Sequence, residues 1–461
     1  MKNQFRRWLQ VATMFVALFI AGALDGATLC VGSSATGNGS GSDWNNLLGW
    51  SATPSRGDTW YLAGGSFSGK TFNTPVSGST LITIKKATVA DHGTSTGWNN
   101  TIASAETVFG SEIQFDSSYW VFDGQTGGGP GSWASGFGFQ IACADDSLAI
   151  IRMGYNGPAN NVTVRHVDLA GKGSASSQGG YYSNDGVALY GCSNITISYA
   201  WVHGAGRCPF FIDCANTIFE YFYVQSYYGT SSVHSEVASI YDFAGLVMGD
   251  TTFRNSLFTH IVSTGGLIFD NSSNPSSHLY VYGNVFYKPP GDSWDQANGL
   301  IGGWTGGNGE QMYNVWVYNN TFVNVDQLSL SNLPNTFGGC RAMNNLWYNC
   351  TAPDFSKFPT HDYNYFISSG ATQGEASGVS VTGSDPFVNS AGLDFRLKAN
   401  TPSGSNLGSP YNVDPIGALR STWTRGAYEF GGSATTPTPT PTPTPIPSPA
   451  PPKNLRVVPG T

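Results

Sequence analysis

Three ionisable residues stand at one repeated offset. Asp185, Arg207 and Glu236 each lie four positions ahead of an apolar residue (Leu189, Phe211, Ile240) in successive segments of similar pattern. If those segments stack, the three form an acid–base–acid column with Cα atoms about 5 Å apart from one to the next. His203, His234, His260 and Lys288 fall in the same set of turns, and the turns are long: 170–184, 226–235 and 288–298. Arg207 carries a fixed charge and can clamp a carboxylate through two parallel bonds. His234 titrates near neutrality and is the best base of the group, and Glu236 can orient either. Together they could take the proton at C5 of a uronic acid while its carboxylate is neutralised, which is β-elimination. Few further cations are present, so Ca2+ held by Asp213, Asp242 and Asp270 is a possible supplement; no other metal or cofactor is indicated. Asp185 and Glu236 alone, two segments apart, would also suit an inverting hydrolase with water between them. The plainer reading is an ion-pair ladder on a strand edge, which needs no function.

Two other groups share one face. Tyr280 and Tyr282 should stand beside Trp316 and Tyr318, and such flat rings can pack against sugar rings or simply against one another. Arg165, Ser198, Glu220 and Arg254 form a second outward column, in which Glu220 and Arg254 should pair. If none of these groups is catalytic, the chain is a glycan-binding or spacer protein.

The elements that must position these residues are written as a repeated phrase. At 315–322 it reads Val315, Val317, Asn320, Phe322, with key positions 0, +2, +5 and +7. It recurs from Val162, Ile195, Thr217, Thr251, Leu279 and, weakly, Cys340, the starts lying 33, 22, 34, 28, 36 and 25 residues apart. Positions 0 and +2 share one face of a strand, and +5 and +7 share a face of the next. The register breaks between them, so the chain turns there with both apolar pairs inward. Asn284, Asn320 and Asn345 fall on that turn and can pass amide hydrogen bonds from coil to coil. A period in this range with variable insertions marks a solenoid, here an all-β, right-handed parallel β-helix. Earlier strands are expected around 58–67, 81–84 and 119–122, with 87–105 and 124–136 as loops. Residues 28–57, with Trp44 and Trp50, are expected to cap the first open edge.

Composition agrees. Of 461 residues only 11% are charged, 59 are glycine, and the formal net charge is −8. No basic stripe marks a nucleic-acid partner. Lys2, Arg6 and Arg7, then an uncharged stretch to Ala21, then Ala21-Gly-Ala23, read as a secretory signal over 1–23, and no later segment is apolar enough to cross a bilayer. The seven cysteines include no CxxC pair, which argues against zinc. Cys192 and Cys214 align one coil apart, as a disulfide or as a reduced stacked pair. The Asn-x-Thr triplets at Asn161, Asn194 and Asn319 arise from the repeat itself.

Gly57-Asp-Thr-Trp-Tyr-Leu-Ala-Gly-Gly-Ser-Phe67 resembles the first coil of secreted bacterial β-helix proteins of the pectate-lyase-like superfamily. The ending, from Asp385-Pro-Phe387 through Leu393-Asp-Phe395-Arg-Leu397 to Gly426-Ala-Tyr428-Glu-Phe430, resembles their last coil, though Arg425 stands where an acidic residue is usual. Lyases of that superfamily place Arg or Lys as base. Asn184-Asp185-Gly186 is similar to a polygalacturonase motif, but Asp145-Asp146 precedes it where the companion should follow. The resemblance implies a β-helix over 24–431, on the cell surface or secreted, monomeric, with a polysaccharide or surface glycan as partner. Residues 432–452 are a Pro/Thr-rich extended, disordered linker. Residues 453–461 are a tail or the start of a truncated fibronectin type III-like module.

Overall fold

The computed structural model describes residues 26–145, 148–173, 184–225, 236–242, 248–261, 265–292, 300–303, 311–325, 336–351 and 353–432. The expected signal at 1–23, nearly all of the linker and the 453–461 tail lie outside them.

Parallel pairing runs coil to coil in three columns. The first sheet passes through Thr28–Gly32, Thr59–Leu62, Ile82–Lys86 and Trp120–Asp123 and on through Thr251–Arg254, Leu279–Tyr282 and Val315–Tyr318 to Thr360–Asp362. The second passes through Gly65–Phe67, Thr107–Phe109 and Phe139–Ala142 to Leu257–Thr259, Val285–Tyr287, Thr321–Val323, Leu346–Tyr348, Tyr365–Ile367 and Val379–Val381. The third contains Lys70–Phe72, Ile113–Phe115 and Ile151–Met153, then Glu236–Ile240, Gly265–Phe269 and Ile301–Gly302. The long strands Asn160–Ala170, Val187–His203 and Phe210–Glu220 bend through corners and belong to more than one column.

The phrase sets this register. Val162, Ile195, Thr217, Thr251, Leu279 and Val315 are consecutive partners in the first sheet. The +7 residues Phe258, Phe286, Phe322 and Trp347 stack inside with ring centroids 4.7, 5.2 and 3.8 Å apart. At the +5 corner, Nδ2 of Asn284 donates to Oδ1 of Asn320 (3.1 Å), Asn320 to Asn345 (3.2 Å), and Asn345 to Asn364 (2.9 Å). All four are fully buried. Ser256 N–H donates to Asn284 at one end, and the Glu375 carboxylate takes the Asn364 amide at the other.

Three features depart from expectation. Residues 28–31 already pair with 59–62, so the cap begins as a coil; Trp50 then closes the core end against Phe67, Phe72 and Phe109. The coils continue past 350, where His361 at an inward position, stacked on Phe355, hides the phrase. Finally, 385–428 is not a last coil. Phe387–Asn389 and Asp394–Leu397 form an antiparallel pair. Phe387, Phe395 and Tyr428 pack over the outer side of the second sheet, while Tyr411 and Trp423 cover part of the first. All seven cysteines are buried and unbridged, Cys192 beside Cys214 in register.

Asn320 makes bonds to both neighbouring asparagines and to the Val281 carbonyl. Asn320→Leu should therefore destabilise the protein by at least about 3 kcal/mol, the upper end for one unmet buried group, because several are left unpaired. Urea unfolding of the variant checks this.

Candidate functional site

The third sheet places the charged residues at its entry edge, but one step off the expected column. Its register pairs Leu189 with Ile212 and Ile212 with Ile240, not Leu189 with Phe211. The aligned residues are therefore Asp185, Cys208 and Glu236, and Arg207 precedes the column. The cause is a bulge between Tyr190 and Cys192. Gly191 there has φ +59°, in the left-handed region that suits glycine. A count that aligned the cysteines correctly therefore slipped by one on the far side of the bulge.

Arg207 nonetheless reaches Asp185. Its Nε donates to Oδ1 at 2.7 Å and its Nη2 to Oδ2. The guanidinium lies 5.0 Å over the Phe211 ring. Burial lifts the Asp185 carboxyl above its usual range. Burial also disfavours the Arg207 charge, but the paired carboxylate outweighs it and holds the guanidinium charged. Glu236 is buried, accepting from Ser239 Oγ at 3.0 Å with the Cys208 thiol at 3.8 Å. Burial beside those carboxylates keeps Cys208 protonated.

An aromatic strip that the sequence reading missed runs along the same outer face. Tyr155, Tyr190, Phe211 and Tyr241 follow one another with centroids 5.4, 5.4 and 5.8 Å apart. Arg152 sits over Tyr155 at 4.7 Å and contacts Glu112 at 3.1 Å. The signal was present in sequence as alternate outward positions, but only the true register joins them.

The remaining expectations divide. His234 lies outside the described residues. His203 does not join Arg207's pair; it projects from the second sheet, where Nε2 meets Asp168 at 2.8 Å and the ring stacks on Trp201. His260 pairs with Asp292 at 2.7 Å, and Lys288 follows it one coil on, both at the exit edge of the second sheet. Tyr282 and Tyr318 are neighbours as expected, but both are buried under Tyr411, with centroids 4.9 Å from it, so neither offers a face to a sugar. Tyr280 and Trp316 stay partly exposed and meet edge-on at 5.4 Å, with Arg341 over Trp316. That is cross-strand packing. Glu220 and Arg254 pair at 2.7 Å and Arg165 pairs with Asp123 at 2.9 Å, a structural ladder on the first sheet. Among the described residues no group of three or more His, Cys, Asp or Glu could hold a metal ion. Asp213, Asp242 and Asp270 thus do not assemble as Ca2+ ligands. Among them also no helix is long and apolar enough to cross a membrane.

No protein-family model matches the sequence, and no curated protein matches it. Among solved structures, pectate lyase Pel9A matches with a TM-score of 0.52 at 14% identity, over 87% of this chain and 96% of that one. The fold is a right-handed parallel β-helix, shared with that pectate lyase. The PL6 family alginate lyase AlyGC also matches, at TM-score 0.28 and 13% identity, over 77% of this chain and 53% of that one. At 14% identity the likeness to Pel9A is one of fold.

In this β-helix protein Arg207→Ala would strand the buried Asp185 carboxylate. Stability should fall by about 3 kcal/mol, the low end for breaking a buried pair because the Arg207 side chain is 36% exposed. Adding Asp185→Asn should restore part of the loss. Chemical denaturation of both variants measures it.

Proposed function

We propose that the protein is a polysaccharide-binding β-helix whose outer third-sheet face acts on uronate-containing glycans by β-elimination. The observation that carries this reading is Arg207 set over Phe211, within a strip of rings flanked by Arg152. The exposed faces of Tyr155, Tyr190 and Tyr241 can pack against sugar rings, while Phe211, buried beneath Arg207, seats the partly exposed guanidinium that meets sugar carboxylates. Pel9A, a lyase of pectate by its name, shares the fold over most of both chains, which supports the same substrate class.

In the mechanism, Arg207 is the binding cation. Asp185 fixes its orientation through two bonds and so gives up any role of its own as acid. Sugar carboxylate on the free side of the guanidinium would have its charge offset, which makes the neighbouring C5 proton easier to remove. His234, from the segment that leads into Glu236, is the proposed base. As it takes the C5 proton the electron pair forms the C4–C5 double bond, the C4–O4 glycosidic bond breaks, and the departing oxygen takes a proton from water. The inverting-hydrolase reading loses ground, because Asp185 is occupied by Arg207 and Glu236 is only 2% exposed. A non-catalytic glycan-binding role is the second reading; it is favoured by the same commitment of Arg207 to Asp185. The protein is proposed to work at the cell surface or in the secreted state, in keeping with the signal read at 1–23.

Pectate, alginate and glycosaminoglycan chains, each assayed with and without calcium, test the proposal. We expect a polyuronate to yield products bearing a new C4–C5 double bond, seen by ultraviolet absorbance. His234→Ala should lower the rate by roughly 100-fold or more without moving the melting temperature. Saturated products with new reducing ends would identify a hydrolase, and binding without any cleavage would favour the second reading.

A further inference from the structure

The later coils pair every ladder amide at the corner between the first and second sheets. The early coils do not follow that rule. There the insertions 87–106 and 126–138 leave a cavity of about 520 Å³, lined by Lys86, Thr88, Glu106, Ser135, Phe137 and Asp168 among others. Lys86 is only 3% exposed, and its ammonium has no hydrogen-bond partner. A buried charge is ordinarily paired. Asp168, also buried, is already engaged by His203 at 2.8 Å and Gln140 at 2.6 Å.

We infer that this cavity is a second carbohydrate site, taking a neutral sugar residue at the end or on a branch of a glycan. The chemistry of the lining carries the inference. An ammonium can only donate and a carboxylate can only accept, whereas a sugar hydroxyl does both. Adjacent hydroxyls can take the Lys86 donor and give to Glu106, which meets an ammonium that the protein leaves without a hydrogen bond. Mixed charge on the walls disfavours a strongly anionic or cationic ligand, and the volume lies in the range of small-molecule sites. The titration of the two groups agrees: burial pulls Lys86 down to about 8 and pushes Glu106 up to about 7, the perturbation expected where ionisable groups share a site. This site lies on the second-sheet side of the helix and does not depend on the elimination chemistry proposed for the third.

Calorimetric titration of the full-length protein with neutral gluco-, galacto-, manno- and xylo-oligosaccharides, and with oligouronates, tests it. At least one neutral series should bind. Lys86→Met and Glu106→Gln should each weaken that binding tenfold or more, while Arg207→Ala leaves it unchanged. Lys86→Met should also raise the melting temperature, since it removes an unpaired buried charge. If Lys86→Met does not fold, Glu106→Gln decides alone. The inference is overturned if no neutral oligosaccharide binds, which would leave the cavity to water. It is equally overturned if oligouronates bind there more tightly, or if neither substitution weakens binding.

Discussion

Stacking at about 4.8 Å per coil governs this molecule. Each strand must bond to the coil before and the coil after, so a buried polar group is best satisfied where its counterpart in the next coil can bond to it. The Asn284–Asn320–Asn345–Asn364 run satisfies that condition by handing one amide to the following side chain, from Ser256 to the Glu375 carboxylate. The aromatic file inside the second sheet and the Asp123–Arg165 and Glu220–Arg254 pairs outside the first obey the same rule. The two proposed sites lie where the rule is relaxed: at the entry edge of the third sheet, and at the early corner where insertions replace the asparagine turn.

The repeat made the fold legible because its inward positions carry large apolar residues that no other arrangement would bury together. It also made the asparagine ladder legible, since Asn284, Asn320 and Asn345 hold one position in successive copies. Asn364 escaped because its coil carries His361 where an aliphatic residue was expected. The C-terminal segment resembled a coil since its apolar residues alternate, yet alternation alone does not say which face they cover. It packs outside the helix, and that packing takes Tyr282 and Tyr318 away from any ligand.

The charged site was legible in composition and not in geometry. Asp185, Arg207 and Glu236 do gather at one edge, but a single residue of bulge at Gly191 moved Arg207 out of line and put Cys208 between the acids. Bulges leave little trace in sequence beyond a glycine, and this chain has 59 of them. His203 was assigned to the wrong sheet for a related reason: the long strand Val187–His203 bends through two corners, so nearness in sequence to Arg207 does not mean a shared face. Lys86 was overlooked because one lysine in a loop-flanked strand looks solvated until the insertions fold over it.

The central claim is that the outer face of the third sheet, with Arg207 over Phe211, is where acidic polysaccharide lies. A crystal structure of the protein soaked with a uronate oligosaccharide tests this most directly. We expect sugar rings along Tyr190 and Tyr241 with a carboxylate on the Arg207 guanidinium, which Phe211 seats from below. Ordered oligouronate elsewhere, over the second sheet or in the Lys86 cavity, with the third-sheet face bare, would contradict it.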